Sequence, residues 1–470
     1  MVSITMIIDA IDWTPPSLAA RAYAGVADAH LLTGGALAAR PGRSVLVAAP
    51  AQLFEIRAGR AFVDGDARDG DPFSVLGDLL AARRRDGGDG APDGFVSGAV
   101  GYVGYEVGGV VEPSAYGPPS PYALPDARFG FYDAAYVFDG AARRAWSVAK
   151  NADAAARLAE AARAPAHPRP VDAGPVAAVR VAAGPIEAGM DEAAHAETVR
   201  TVRDEILRGD YFQANVAYPM TARLSAGGPF DFFAALHAQS AAPFCAFLQY
   251  TDGAVASVSP ERFFRIEGRR IGVEPVKGTR PRGRDARTDR ALAAALEADP
   301  KERAENVMIA DLMRNDLSRL CDDASISEDV ICALETFASV HHLVSRISGD
   351  LRAGVGPAEA LRALVPCGSI TGAPKIEAMN AIARLEPTGR GPYTGAIGYI
   401  DDRGDADFSV AIRTAILEPD GAAWRATYPV GGGLTALSEP GAEHAETLAK
   451  AAPFFAALGR TPGVARAAVP

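Results

Sequence analysis

Residues 245–283 read CAFLQYTDGAVASVSPERFFRIEGRRIGVEPVKGTRPRG, and this stretch decides the fold class. Three strand-like runs, Cys245–Tyr250, Ala254–Val258 and Phe263–Ile266, follow one another with no helical segment between them. Working outward, apolar periodicity predicts long amphipathic helices at about 191–208, 299–320, 355–364, 373–384 and 441–458. Further strands are expected at Phe212–Tyr218, Tyr393–Ile400, Phe408–Ile416 and Trp424–Val430. Strands and helices both come in runs, which predicts an α+β fold with a mixed, largely antiparallel sheet wrapped by helices rather than a βαβ array. Neither GxGxxG nor GxxxxGK[ST] occurs, so no nucleotide cofactor is indicated.

Three regions are expected. Residues 1–165 alternate turns with short strand-like runs (SVLVAA, GFVSGAVGYVGYE, AAYVFD) and end in the Ala-rich helix ADAAARLAEAARA. Residues 166–190, where proline, glycine and alanine displace any period, read as a linker. Residues 191–470 then form the third region, in which the long helices and the motifs considered below fall. With 49% hydrophobic and 22% charged residues the composition is that of a globular protein. The net charge of −11, with no offsetting basic stripe, argues against general nucleic-acid binding, so an anionic substrate needs a locally built positive site. Cys245, Cys321, Cys332 and Cys367 show no CxxC spacing, which points to a reducing compartment, the cytoplasm by default, and no structural zinc. The start MVSITMIIDAIDW lacks a basic n-region, and no apolar run is long enough for a membrane span.

Only five of the 47 basic residues are lysines: Lys150, Lys277, Lys301, Lys375 and Lys450. Lysine can lose its proton and act as a nucleophile, whereas arginine cannot. That singles out Lys277 in PVKGTRPRG, although a biased composition leaves a few lysines by chance. Glu261, in SPERFF after the uncharged GAVASVS, suits a desolvated general acid or an ion pair with Arg262. Glu302 and Glu305 stand one turn apart on one helix, while Glu443, Glu446 and Lys450 share a face of another. Such carboxylates suit a hard ion such as Mg²⁺ or are merely solvated helix faces. Arg413, in the apolar run FSVAIRTAIL, needs an anionic partner, from substrate or from within the protein. PCGSITGAPK, GRGPYTGAIGY and YPVGGGLTA are anion-closing loops or tight turns. His341 and His342 either supply an imidazole to a site or cap a strand.

In order, GDYFQANVAYP, SPERFF, PVKGTRPRG, ENVMIADLMRNDLSRL, VHHLVSRISGDL, GSITGAPKIEAMNAIARLEP, GPYTGAIGYI, FSVAIRTA, GGGL and SEPGAEHAETLAKA resemble the chorismate-utilising enzyme family. Anthranilate, aminodeoxychorismate, isochorismate and salicylate synthases belong to it. The resemblance implies large antiparallel sheets in a sandwich-like core wrapped by helices. It also implies Mg²⁺ on Glu305 and Glu446 with Glu443 close by, and a substrate-carboxylate grip by Tyr393 and Arg413. The backbone of Gly431, Gly432 and Gly433 and Lys450 assist that grip, and Ser369 lines the same pocket. His342 matches the site histidine, Glu261 the acid that protonates a departing ring hydroxyl, and Lys277 the nucleophile of the aminating, pyruvate-retaining branch.

Anthranilate-type relatives usually carry a small residue at position 277, and they are the nearest alternative. Water-using relatives usually carry a lysine where this chain has Gln213. Cys367 departs from the family's usual glycine, and no LLES-like segment is evident. The resemblance further implies chorismate as substrate, ammonia from a separate glutamine amidotransferase subunit, and a product that leads to 4-aminobenzoate and folate. Lys277 must then be uncharged at neutral pH, which desolvation with Arg280 or Arg282 nearby would promote.

Overall fold

The computed structural model describes residues 6–35, 42–85, 94–115, 117–162, 181–337, 340–461 and 465–467. Two large sheets dominate it. The first runs, edge to edge, through Ile7–Ile11, Arg144–Ala149, Ala134–Asp139, Arg43–Val47, His30–Thr33, Phe244–Gln249, Ala254–Ser259, Thr414–Asp420, Ala423–Leu434, Gln213–Ala226, Ala182–Ala188 and Ala465–Ala467. The second runs through Val276–Pro281, Val340–Asp350, Arg270–Val273, Arg262–Glu267, Ala406–Val410, Ala396–Asp401, Gly98–Val103, Ala127–Tyr132, Gln52–Arg57, Arg60–Val63 and Asp66–Arg68. Among the described strands every pairing is antiparallel except that of Ala182–Ala188 with Ala465–Ala467.

The period-2 pattern of the strands explains the layers. In Ala396–Asp401, Ala396 and Ile400 enter the core under one set of helices, while Ile397 and Tyr399 point between the sheets. In Ala254–Ser259, Ala254, Ala256 and Val258 join the core beneath the other helices, and Val255 faces inward. Helices Pro72–Arg83, Pro300–Ser318 and Pro357–Leu364 cover the second sheet, and Pro229–Ala238 and Pro440–Ala457 cover the first. The result is the expected α+β sandwich wrapped by helices.

Sequence and structure part at several places, two of which reshape the sheets. The stretch Phe408–Ile416 is not one strand: Ala406–Val410 belongs to the second sheet and Thr414–Asp420 to the first. The chain changes sheets over 411–413, where Arg413 has φ 51°, a left-handed conformation that breaks extended geometry. Ala254–Ser259 and Arg262–Glu267 change sheets in the same way across Pro260 and Glu261. The two crossings are tied together, Val410 N–H donating to the Glu261 carbonyl at 3.1 Å and Val258 N–H to the Arg413 carbonyl at 3.1 Å.

The second departure lies in the expected linker. Residues 166–180 fall outside the described residues, but Ala182–Ala188 is a strand. Its Gly184 and Pro185 are tolerated because the register against Gln213–Ala226 shifts at that point, where no ladder bond is needed. Strands from both sides of this stretch contribute to both sheets: His30–Thr33 pairs with Phe244–Gln249, and Gly98–Val103 with Ala396–Asp401.

Candidate active site

Next to the two crossings lies a cavity of about 490 Å³. Gln213, Glu261, Lys277, Glu305, His342, Tyr393, Arg413, Gly431, Gly433, Glu443, Glu446 and Lys450, spread from residue 213 to residue 450, all line it. Ser369 and Gly432 stand just behind its wall. Ser369 is buried and contacts two lining residues, and a Cβ on Gly432 would come within 3.5 Å of Lys450 Nζ and 3.6 Å of Glu443 Oε2.

Lys277 occupies strand Val276–Pro281, opposite Leu343, and Thr279 is opposite His342. The extra residue between them, Gly278, has φ 75° and makes a bulge that turns the lysine into the cavity. Lys277 Nζ donates to the Ser369 carbonyl at 2.9 Å, and Ser369 Oγ donates to Glu261 Oε1 at 2.7 Å. Ser369 therefore bridges the amine and the carboxyl. Burial raises the Glu261 carboxyl above the usual carboxylate range, against the opposing pull of Lys277, Ser369 and the Val276 amide. The shift is in the direction that a proton donor requires.

His342 is buried, which lowers its imidazole to about 4, with Arg413 and His341 adding to the effect. It is neutral at physiological pH. Its Nδ1 lies 3.0 Å from Thr279 Oγ1 and 3.3 Å from the Gly278 carbonyl. A proton on Nδ1 directed at that carbonyl leaves Nε2 as an acceptor. His341 takes no part: its Nε2 meets Asp289 at 3.0 Å away from the cavity lining.

Arg280 pairs with Asp299 at 2.9 Å and Glu302 at 3.2 Å, and Arg282 with Asp289 at 2.7 Å. Neither therefore supplies the unbalanced positive charge expected beside Lys277. Arg413, in contrast, reaches the cavity without a carboxylate partner among the described residues. It is a cation awaiting an anion. Tyr393 is buried and held as the neutral phenol. It precedes strand Ala396–Asp401 rather than opening it, because Gly391 (φ 59°) and Thr394 (φ 60°) curl the chain into a turn.

The acidic side of the cavity comes from two helices. Glu305 on Pro300–Ser318 is raised by burial and by Glu302 and Glu446, against Lys301 at 3.8 Å. Glu443 on Pro440–Ala457 is likewise raised by burial. Burial works against the charge of Glu446, but Lys450 at 2.9 Å, with Lys301 and Lys277, holds its carboxyl below the usual range. Among the described residues no three His, Cys, Asp or Glu side chains form a preassembled metal cage. Two mutually repelling carboxylates with oxygen donors only still fit Mg²⁺, which commonly takes one or two protein carboxylates and fills its octahedron with water and substrate.

Asn215, Tyr428 and Ile412 line the cavity but escaped the sequence reading, and Lys301 was singled out there only as one of the scarce lysines. Asn215 was within reach, since it lies two residues from Gln213 on the same strand face. Gln213 Oε1, Asn215 Oδ1 and Tyr428 Oη are buried without hydrogen-bond partners among the described residues. Unmet polar groups on a cavity wall are what a polar ligand would satisfy.

A model of the family described as "chorismate binding enzyme" matches residues 36–456. Aminodeoxychorismate synthase of Streptomyces griseus is 39% identical over 379 residues, 78% of this chain and 51% of that protein, so the chain spans about half of that relative's length. Aminodeoxychorismate synthase component 1 of Klebsiella aerogenes is 37% identical over 360 residues, 76% of each. Anthranilate synthase component 1 of Streptomyces coelicolor is 37% identical over 414 residues, 84% of this chain and 79% of that one. With a match across nearly the whole chain and a cavity that gathers the expected residues, the protein belongs to the chorismate-binding enzyme family.

Proposed function

We propose that this cavity aminates chorismate to 4-amino-4-deoxychorismate, using ammonia released by a glutamine amidotransferase subunit. The observation that carries the reading is the Lys277–Ser369–Glu261 bridge, which sets an amine and a carboxyl raised by burial on one wall. Position 277 is also where the family resemblance separates branches, with lysine typical of the aminating one.

Tyr393, Arg413 and the Gly431–Gly433 backbone hold the substrate carboxylate. Mg²⁺ bound by Glu305 and Glu446 would supply positive charge at the ring carboxylate, drawing electron density toward it. The free amine of Lys277 adds to the ring alkene carbon beside the carboxylate-bearing one. As that C–N bond forms the double bond shifts, and the allylic C–O bond breaks while Glu261 gives its proton, so the hydroxyl departs as water. The adduct nitrogen then passes its surplus proton to the Glu261 carboxylate. Ammonia attacks the carbon that lost the hydroxyl, and the double bonds shift back to expel Lys277, whose nitrogen takes a proton from Glu261 and departs as the free amine. The incoming nitrogen's surplus proton restores Glu261. The enolpyruvyl group is untouched throughout.

Comparable similarity to anthranilate synthase component 1 supports a second reading, in which pyruvate is eliminated. One assay separates them: chorismate, Mg²⁺ and ammonium chloride, scored for aminodeoxychorismate, anthranilate and pyruvate. Intact-mass measurement of chorismate-loaded protein is expected to show an adduct absent from Lys277→Ala. Pyruvate rising in step with chorismate loss, or a Lys277→Ala variant as fast as the parent, would refute the proposal.

A further inference from the structure

Behind the cavity wall, and not on it, sits Arg390, 3% exposed. A guanidinium has five N–H donors, and here each has its own acceptor. Nε donates to Glu386 Oε2 at 2.9 Å and Nη2 to Glu386 Oε1 at 2.5 Å. Nη2 also donates to the Asn215 carbonyl at 2.6 Å, and Nη1 to the Ile370 carbonyl at 3.2 Å and to Thr394 Oγ1 at 3.1 Å. The backbone of Arg390 is itself fixed by Glu106, whose carboxylate accepts its N–H at 2.5 Å. Glu386 in turn accepts the Ala217 N–H at 2.8 Å.

The three non-carboxylate acceptors belong to three walls of the site. Asn215 continues the strand that presents Gln213. Ile370 follows Ser369, which bridges Lys277 and Glu261. Thr394 follows Tyr393 and, as a β-branched residue at φ 60°, is strained backbone that persists only when its surroundings hold it. Thr394 N–H also reaches the Ala411 carbonyl at 2.8 Å, and Ala411 opens the crossing that carries Arg413. One side chain thus ties together the nucleophile's bridge, the carboxylate grip and the polar strand. A buried ion pair is weak evidence of a stability role, and full use of a planar five-donor fork is a geometric device.

We propose that Arg390 is a positioning residue: through Asn215, Ile370 and Thr394 it sets the spacing of the groups that grip and attack chorismate. This rests on the function proposed above for the placement of substrate, but not on which product forms.

The test is Arg390→Lys, which keeps the charge beside Glu386 yet has three donors from a single point. The variant is compared with the parent in folded fraction, chorismate KM, kcat and chorismate affinity by calorimetry without ammonia. Expected is a rise of about tenfold or more in chorismate KM and in its dissociation constant, because loss of one charge-assisted hydrogen bond from a displaced grip weakens binding by about that factor. A structural role alone would lower the folded fraction and leave both constants unchanged, and that result overturns the proposal. Thr394→Val, which removes the Arg390 tie together with the Thr394 hydroxyl's bond to the Tyr393 carbonyl and keeps the ion pair, is expected to raise KM about threefold, and Thr394→Ser, which keeps both bonds, is expected to restore it; the pair decides the matter if the lysine variant does not fold. An unchanged KM in a folded Thr394→Val would then overturn it. Products are scored separately, so pyruvate release with a shifted KM refutes the amination reading alone.

Discussion

Arg413 couples a backbone conformation to a binding role, and the two separate under substitution. Its φ of 51° lies where a side-chain-bearing residue costs about 1–2 kcal/mol relative to ordinary geometry. Glycine is free of that penalty but loses about 0.5–1 kcal/mol through its more flexible unfolded chain. Arg413→Gly should therefore be about 0.5–1 kcal/mol more stable than Arg413→Ala, the reverse of their usual order. Both variants lose the guanidinium that faces the cavity unpaired. A charge-assisted hydrogen bond contributes about 1.5–3 kcal/mol, so chorismate affinity should fall about ten- to a hundredfold in each. Urea midpoints at constant m give the stability order, and calorimetric titration with chorismate gives the affinity. Arg413→Gly less stable than Arg413→Ala, or either one binding chorismate within twofold of the parent, would refute the reasoning.

Two further outcomes follow from the buried titratable groups. Glu261→Gln mimics the protonated acid and keeps an acceptor for Ser369, so kcat should drop about 10²- to 10⁴-fold at nearly unchanged chorismate KM. A raised carboxyl contributes stability at low pH that is lost as pH rises through its folded value. The variant should accordingly match or exceed the parent in urea midpoint at pH 8; lower stability there would count against a protonated Glu261. His342 is shifted the other way, from 6.5 to about 4, so its contribution is present above pH 6.5 and lost on acidification toward 4. Replacing it with glutamine should shrink the stability loss between pH 7 and pH 4.5 by about 2 kcal/mol, and an unaltered loss would contradict its burial as a neutral ring.

Much of the site was readable because its chemistry sits in short contiguous motifs. Helices Glu192–Arg208, Pro300–Ser318 and Pro440–Ala457 fall close to where periodicity predicts them. What stayed hidden was geometry that leaves no mark in apolar pattern. FSVAIRTAIL reads as one apolar run, so nothing announces that the chain leaves one sheet for the other at Arg413, a residue type that seldom takes positive φ. Ala182–Ala188 looked like linker because its glycine and proline coincide with a register shift visible only once the partner strand is in place. Arg390 was passed over in a turn-forming segment. Its spacing of four from Glu386 is the one cue, and it gives no hint that Asn215 and Ile370 arrive from elsewhere in the chain.

The interleaving of early and late strands bears on how the chain is made. His30–Thr33 has to wait for Phe244–Gln249, and Gly98–Val103 for Ala396–Asp401, roughly 200 and 300 residues later. At about 5–20 residues per second, ribosomal synthesis leaves the Gly98–Val103 edge unpaired for tens of seconds. Neither the amino-terminal third nor the rest can close a sheet by itself. Synthesis thus leaves strand edges open on the nascent chain until their partners are made, an exposure set by topology rather than by any weakness of the finished core.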